Sequence, residues 1–258
     1  MPQVNIALEI FCMILSLVLL GGLALNGDRT SRDTRMFLGM LLGNLLFLGA
    51  DALAWFWNGS SRVLWNWLGN LVQYLAGYGL LLLYCQYLLD RLSPWGRWRW
   101  VRRGVAGLCL AGVVLTVLSQ GTGLFYTITP DNLFQRGPGF WLSQGIALGA
   151  LALVGGGIAA CWKEMTRGED QAGLLYVLLP MGVIGASLFW EAVTLLGLGS
   201  TLTLVLVFVN VQLQRGRRLR EQDKELAEKK IAIMLSQIQP HFLFNVLGSI
   251  EWLCETAP

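Results

Sequence analysis

The chain holds a single histidine, His241, inside Gln237–Asn245, which reads QIQPHFLFN. An imidazole attacks phosphorus through a neutral ring nitrogen. With the ordinary histidine pKa of ~6.5, roughly three quarters of an exposed ring is neutral at pH 7. Phosphoryl transfer to such a ring needs positioning and neutralisation of the phosphate charge, not a tuned pKa. The competing reading is a surface histidine without chemistry, and the spacing around it argues against that. Leu243, Val246, Leu247, Ile250, Leu253 and Cys254 recur at helical spacing, the signature of one apolar face. At ~100° per residue His241 lies opposite the centre of that face, with Asn245 beside it one turn on. Such a helix buries its leucines and offers an imidazole and an amide to an incoming partner. Pro240, lacking an N–H, is expected to bend the helix just before the histidine.

QIQPHFLFN resembles the phosphoacceptor box of the LytS/YehU-type sensor histidine kinases. The resemblance covers only the C-terminal segment. It implies that His241 takes a phosphoryl group from ATP and passes it to an aspartate of a response regulator, with Asn245 as the motif asparagine that orients the reacting groups. It also implies a homodimer whose phosphoacceptor domain is a four-helix bundle with two helices per subunit, of which this chain carries the first. The ATP-binding domain of that family has an asparagine-bearing helix and a DxGxG lid. Neither occurs in this sequence, and no Walker-type G-x-x-x-x-G-K-[ST] does either. The expectation is therefore the sensor and phosphoacceptor portion of a larger kinase, truncated or split, inactive alone. This chain would hold no cofactor; ATP and Mg²⁺ belong to the missing catalytic domain.

A phosphoacceptor helix needs elements that position it. The chain is 55% hydrophobic and 14% charged, which excludes an ordinary soluble domain and fits a polytopic membrane protein. About 20 apolar residues span a bilayer as a helix. Seven segments approach this: 4–25, 36–57, 64–88, 104–120, 140–162, 172–191 and 198–213. The first has no Lys or Arg before Arg29, so it lacks the basic start of a signal peptide and reads as a retained helix. The fold expected is an all-α membrane protein: a seven-helix transmembrane sensor domain over 1–213, a coiled-coil-like signalling linker over 214–236, and the start of the phosphoacceptor domain over 237–258.

Arginine placement gives the topology. Arg29, Arg32 and Arg35 fall in one loop and Arg97, Arg99 and Arg102 in another, and the tail opens with Arg215, Arg217 and Arg218; the alternate loops hold only Arg62 and Arg136. Positive charge stays cytoplasmic. The bias predicts a bacterial plasma-membrane protein with its N-terminus outside and its C-terminus in the cytoplasm. Tryptophans such as Trp55, Trp57, Trp65 and Trp98 cluster at the expected interfaces. The 121–139 loop is too short for an extracellular domain. Its stretch FYTITPDNLFQRGPGFW resembles the corresponding loop in seven-helix sensor regions of bacterial histidine kinases, which implies that the helix bundle itself is the sensor.

In the tail, Leu219, Leu226 and Ile233 repeat every seven residues among polar companions. This reads as a weak coiled coil whose alternative packings differ little in energy, or as a solvated helix held to anionic lipid by its arginines. The pairs Gly39/Gly43 and Gly145/Gly149 read as close helix packing within the chain. The five cysteines have no metal-ligand spacing and read as small buried hydrophobes.

Glu9, Asp51 and Glu191 fall within or at the ends of apolar segments. Carboxylates there face a cavity or a partner. Their convergence would make an outward-facing acidic sensor pocket for a cation or an amine, with Arg136 a partner for one acid; the alternative is structural hydrogen bonding with Asn44, Asn70, Gln73 or Gln144. The expected partners are a second copy, a response regulator and the lipid bilayer, with no direct nucleic-acid binding and no metal. Two further classes fit the same composition: a small-molecule transporter or channel with a regulatory tail, and a catalytically silent scaffold that pairs with intact kinases.

Overall fold

A computed structural model of the protein describes residues 2–26, 32–92, 98–161, 167–189, 195–237 and 240–256. They form helices α1 (Pro2–Asn26), α2 (Arg32–Trp57), α3 (Val63–Leu92) and α4 (Arg99–Thr122), strands β1 (Tyr126–Ile128) and β2 (Phe134–Arg136), then α5 (Phe140–Cys161), α6 (Arg167–Phe189), α7 (Leu195–Gln237) and α8 (Pro240–Thr256). Helix dominates because apolar runs of this length can satisfy their backbone polar groups only internally. Among the described residues six helices, α1 to α5 and α7, contain stretches long and apolar enough to cross a membrane. The apolar part of α6, Leu175–Phe189, is shorter, and Pro180 lies inside it. The far end of the sixth apolar segment, with Glu191, lies outside the described residues.

The chain divides into two units, Met1–Phe208 and Val209–Pro258. In the first, α2 and α3 pack so closely that a Cβ on Gly69 would sit 2.9 Å from the Ala50 carbonyl oxygen and from the Ala54 nitrogen. Only a glycine admits that backbone approach. Gly39 and Gly43 face Leu83 and Leu80 of α3, so this small-residue pair serves packing within the chain. Gly112 of α4 takes the ring of Tyr78 in place of a side chain, and the Tyr78 hydroxyl donates to the Ser143 carbonyl of α5 at 3.3 Å.

The two ends of this unit are held differently. At one, Asp90 of α3 forms ion pairs with Arg32 of α2 at 2.8 Å and with Arg102 of α4 at 2.5 Å, its side chain mostly buried. One carboxylate thus ties three helix ends together. At the other end the connection between α4 and α5 is an antiparallel hairpin, with Tyr126 opposite Arg136, Thr127 opposite Gln135 and Ile128 opposite Phe134. The all-α expectation omits this element. Its strands are three residues each, too short to register as an alternating pattern. The turn depends on Asn132, which takes φ 59°, a left-handed conformation that asparagine tolerates better than most residues.

Asn132 also fastens the hairpin to the α2–α3 turn. Its side-chain amide donates to the carbonyls of Trp57 at 2.7 Å and Ser60 at 2.8 Å, and its own oxygens accept from Asn66. Asn70 in turn donates to Asn66 Oδ1 at 2.8 Å. A chain of amides therefore runs from the hairpin down α3.

In the second unit α7 continues as helix to Gln237 and α8 follows from Pro240. Leu219, Leu226 and Ile233 are exposed along α7, as are Val246, Leu247, Ile250 and Leu253 along α8. Pro240 is the first described residue of α8; residues 238 and 239, where the expected bend would fall, lie outside the described residues.

Candidate functional site

The first candidate is a cavity in the membrane-like unit. Glu9 of α1 and Asp51 of α2 are both buried, at 1% and 4% exposure. Their carboxyl groups lie close enough to interact across the α1–α2 contact. Helix α7 closes over this pair: a Cβ on Gly197 would lie 2.5 Å from Glu9 Oε1, so glycine is what lets the α7 backbone approach.

Two turns further along α2, Asn44 joins the same three helices. Its amide nitrogen donates to Ser16 Oγ of α1 at 3.0 Å and to Thr201 Oγ1 of α7 at 3.1 Å. Its oxygen accepts from Ser200 Oγ of α7 at 2.7 Å. Asn44 and Asn70 thus bond to hydroxyl and amide partners, while Asp51 meets Glu9.

Beside this network lies a cavity of about 310 Å³ whose lining includes Asp51, Gln73, Tyr74, Arg136, Gln144 and Ser200. Arg136 reaches it from β2. Its guanidinium donates to the carbonyls of Ser187 at 3.1 Å and Leu188 at 3.4 Å near the end of α6, and it sits 4.2 Å from the centre of the Phe140 ring. Such a cation satisfies helix-end carbonyls and an aromatic face together. Tyr74 stacks on Tyr126 at 5.3 Å and on Phe125 at 6.0 Å, and Tyr126 stacks on Phe134 at 5.7 Å. Burial pushes the Tyr126 phenol above its usual range, partly offset by its hydrogen bond to Gln120. The hairpin is thereby fixed to the cavity wall by a ring stack as well as by Asn132.

The structure therefore brings Glu9 and Asp51 together and sets Arg136 on the wall of the same cavity as Asp51. Glu191 lies outside the described residues. Sequence reasoning missed Tyr74, Asn66 and Asn132. The Asn66/Asn70 spacing of one helical turn was the available signal on α3; Asn132 becomes visible only when the hairpin folds back onto the α2–α3 turn.

The second candidate is α8. His241 is its second residue, and the side chain of His241 is outside the described residues. Asn245 is exposed, and its carbonyl accepts the Ser249 hydroxyl at 2.7 Å. Trp252, 65% exposed, lies about three turns on from His241 along the same helical line, by a repeat of ~3.6 residues. This indole was also missed, although the eleven-residue spacing carries it. Phe244, Asn245, Gly248, Ser249 and Trp252 line a shallow depression there.

Residues 229–258 match the family described as histidine kinase. The match takes in the end of α7 and all of α8, His241 included. No curated protein matches the chain. A segment similar to histidine kinases that follows helices of membrane-spanning length and composition fits a membrane sensor kinase.

The Asn44 clamp yields a stability expectation. Asn44→Ala removes three buried side-chain hydrogen bonds linking α1, α2 and α7, and should lower unfolding free energy by about 1–3 kcal/mol. Unfolding titrations of the purified protein in SDS would measure this. A change below about 0.5 kcal/mol would show that the three helices are held by apolar packing alone.

Proposed function

We propose that the protein is a membrane sensor histidine kinase of the LytS/YehU type, the input component of a two-component system. The observation that carries this reading is the histidine kinase match spanning His241. In the reaction a neutral imidazole nitrogen attacks the γ-phosphorus of ATP. The N–P bond forms as the bond to the β-γ bridging oxygen breaks, ADP leaves, and Mg²⁺ neutralises the charge that develops. His241 is the second described residue of α8. Asn245 is the orienting partner one turn on. The phosphoryl group then passes to an aspartate of a response regulator.

The signal enters through the seven apolar segments, read as seven spans with the N-terminus outside and the tail in the cytoplasm. Helix α7 supports a direct route for it. Leu196, Gly199, Ser200 and Thr203 line the cavity, and the same helix continues to Gln237, three residues before α8. A ligand or proton that alters the cavity acts on the element that leads to the phosphoacceptor. The exposed apolar residues of α7 and α8 are the surface through which two copies form a parallel homodimer.

Three outcomes check this reading. With an ATP-binding domain of this kinase class and Mg-ATP supplied, the chain should acquire an acid-labile, base-stable phosphoryl label. His241→Gln should abolish the label, and Asn245→Ala should weaken it with helix content unchanged by circular dichroism; full labelling of the His241→Gln chain would remove the phosphoacceptor assignment. For orientation, a cysteine introduced at Gly59 should react with an impermeant maleimide added to intact cells, and one at Gly168 should not; reaction at 168 from outside would invert the topology. For assembly, light scattering in mild detergent at tens of micromolar protein should give the mass of a dimer, and a strictly monomeric mass would sink the homodimer.

A further inference from the structure

The walls of the cavity change character along their length. Helix α3 starts at the hairpin end and presents Asn66, Asn70 and Gln73 to the cavity first, then Gly77, Leu81 and Tyr84 deeper in. Helix α5 repeats the order, with Ser143 and Gln144 before Ala147 and Leu151. Helix α2 runs the other way and reverses it, from Phe47 through Asp51 to Asn58. Helix α6 does the same, from Pro180 and Val183 to Ser187. Four helices of two directions thus place most polar groups at the hairpin end and mostly apolar groups at depth. Helix α7 runs against this order, with Leu195 and Leu196 first and Ser200 and Thr203 deeper, but the deeper hydroxyls, those of Tyr78, Tyr84, Ser200 and Thr203, already donate within the protein. An amphiphile whose head lies under the hairpin and whose chain runs inward matches what is left open.

The state of the polar groups selects the head. The charged ones already have protein partners: Asp51 meets Glu9, and Arg136 holds two α6 carbonyls and the Phe140 face. The Gln73 amide and the Tyr74 hydroxyl line the same cavity and make no hydrogen bond to a described residue. Both are neutral, and both donate and accept. A charged head would require a free counter-charge, whereas an uncharged head needs what these two groups offer. A cavity of about 150 Å³ takes a six-carbon benzene, so one of about 310 Å³ has room for a chain of about ten carbons.

From these observations we infer that the cavity is a binding site for an uncharged amphiphile, a medium-length apolar chain ending in an alcohol or amide, with Gln73 and Tyr74 on the head. This deepens the sensor reading by naming the class of ligand and rests on that reading only for the consequence of binding. Because α7 lines the site, occupancy bears directly on the helix that leads to α8.

The test uses the full chain in lipid nanodiscs, titrated calorimetrically with four ten-carbon probes: decanol, decanamide, decylamine and decanoate. Empty nanodiscs correct for partition into lipid. Decanol and decanamide should bind saturably at one site per chain, at least tenfold tighter than decylamine or decanoate. Gln73→Leu should weaken the two neutral probes about fivefold or more. Ala147→Phe, which fills the deeper part, should abolish binding, and Leu81→Ala, which enlarges it, should shift preference toward a twelve-carbon alcohol. The last variant keeps the test decisive should Ala147→Phe fail to fold. Equal affinity for all four heads, tighter binding of a charged head, or no heat beyond the empty discs would overturn the inference; the last result is also what a cavity filled by a bilayer acyl chain would give. Phosphoryl labelling at His241 is read separately, so a kinase that labels normally without binding these probes would lose the ligand and keep its function.

Discussion

A carboxyl group away from water costs several kcal/mol unless something compensates it. That cost organises the first unit of this protein. Glu9, Asp51 and Asn44 are each buried between helices of mostly apolar composition, and each finds its partner on a different helix. The outcome is a polar seam through α1, α2 and α7. Apolar contacts in lipid are close to interchangeable, since side chains meet hydrocarbon on either side of an interface. Hydrogen bonds are not, because each fixes one donor against one acceptor. The seam therefore sets which face of α7 turns inward, and with it which residues of α7 meet the cavity.

The remaining polar devices sit at the two ends and divide the labour. Asp90, between Arg32 and Arg102, is charged, and it occupies the end where arginines gather. The amides of Asn66, Asn70 and Asn132 are neutral, and they hold the hairpin to the α2–α3 turn. A charged clasp suits a boundary with water and anionic headgroups. An amide chain suits a wall that must stay satisfied beside an apolar cavity, because amides carry both donors and acceptors. The arrangement leaves two neutral groups, on Gln73 and Tyr74, without protein partners among the described residues.

The second unit follows a different logic. Its helices carry exposed apolar residues at regular spacing: Leu226 is 56% exposed and Leu253 59%. An isolated helix gains little from such a stripe. The pattern acquires meaning when another helix supplies the opposite face, as a phosphoacceptor bundle does.

The apolar runs and the likeness of the C-terminal segment to histidine kinases were legible because each is a local property. A run of apolar residues in lipid must close its own backbone hydrogen bonds, so its length and composition alone determine helix, and QIQPHFLFN is contiguous. Short strands without a clear alternation, as in the 126–136 hairpin, carry no comparable local signal. Tertiary structure alone decided that Glu9 meets Asp51 across two helices, that Asn132 reaches Trp57 and Ser60, and that Gln73 and Tyr74 face a cavity. These pairings depend on helix rotation and tilt, which the three-dimensional packing of several helices sets together and no single segment encodes.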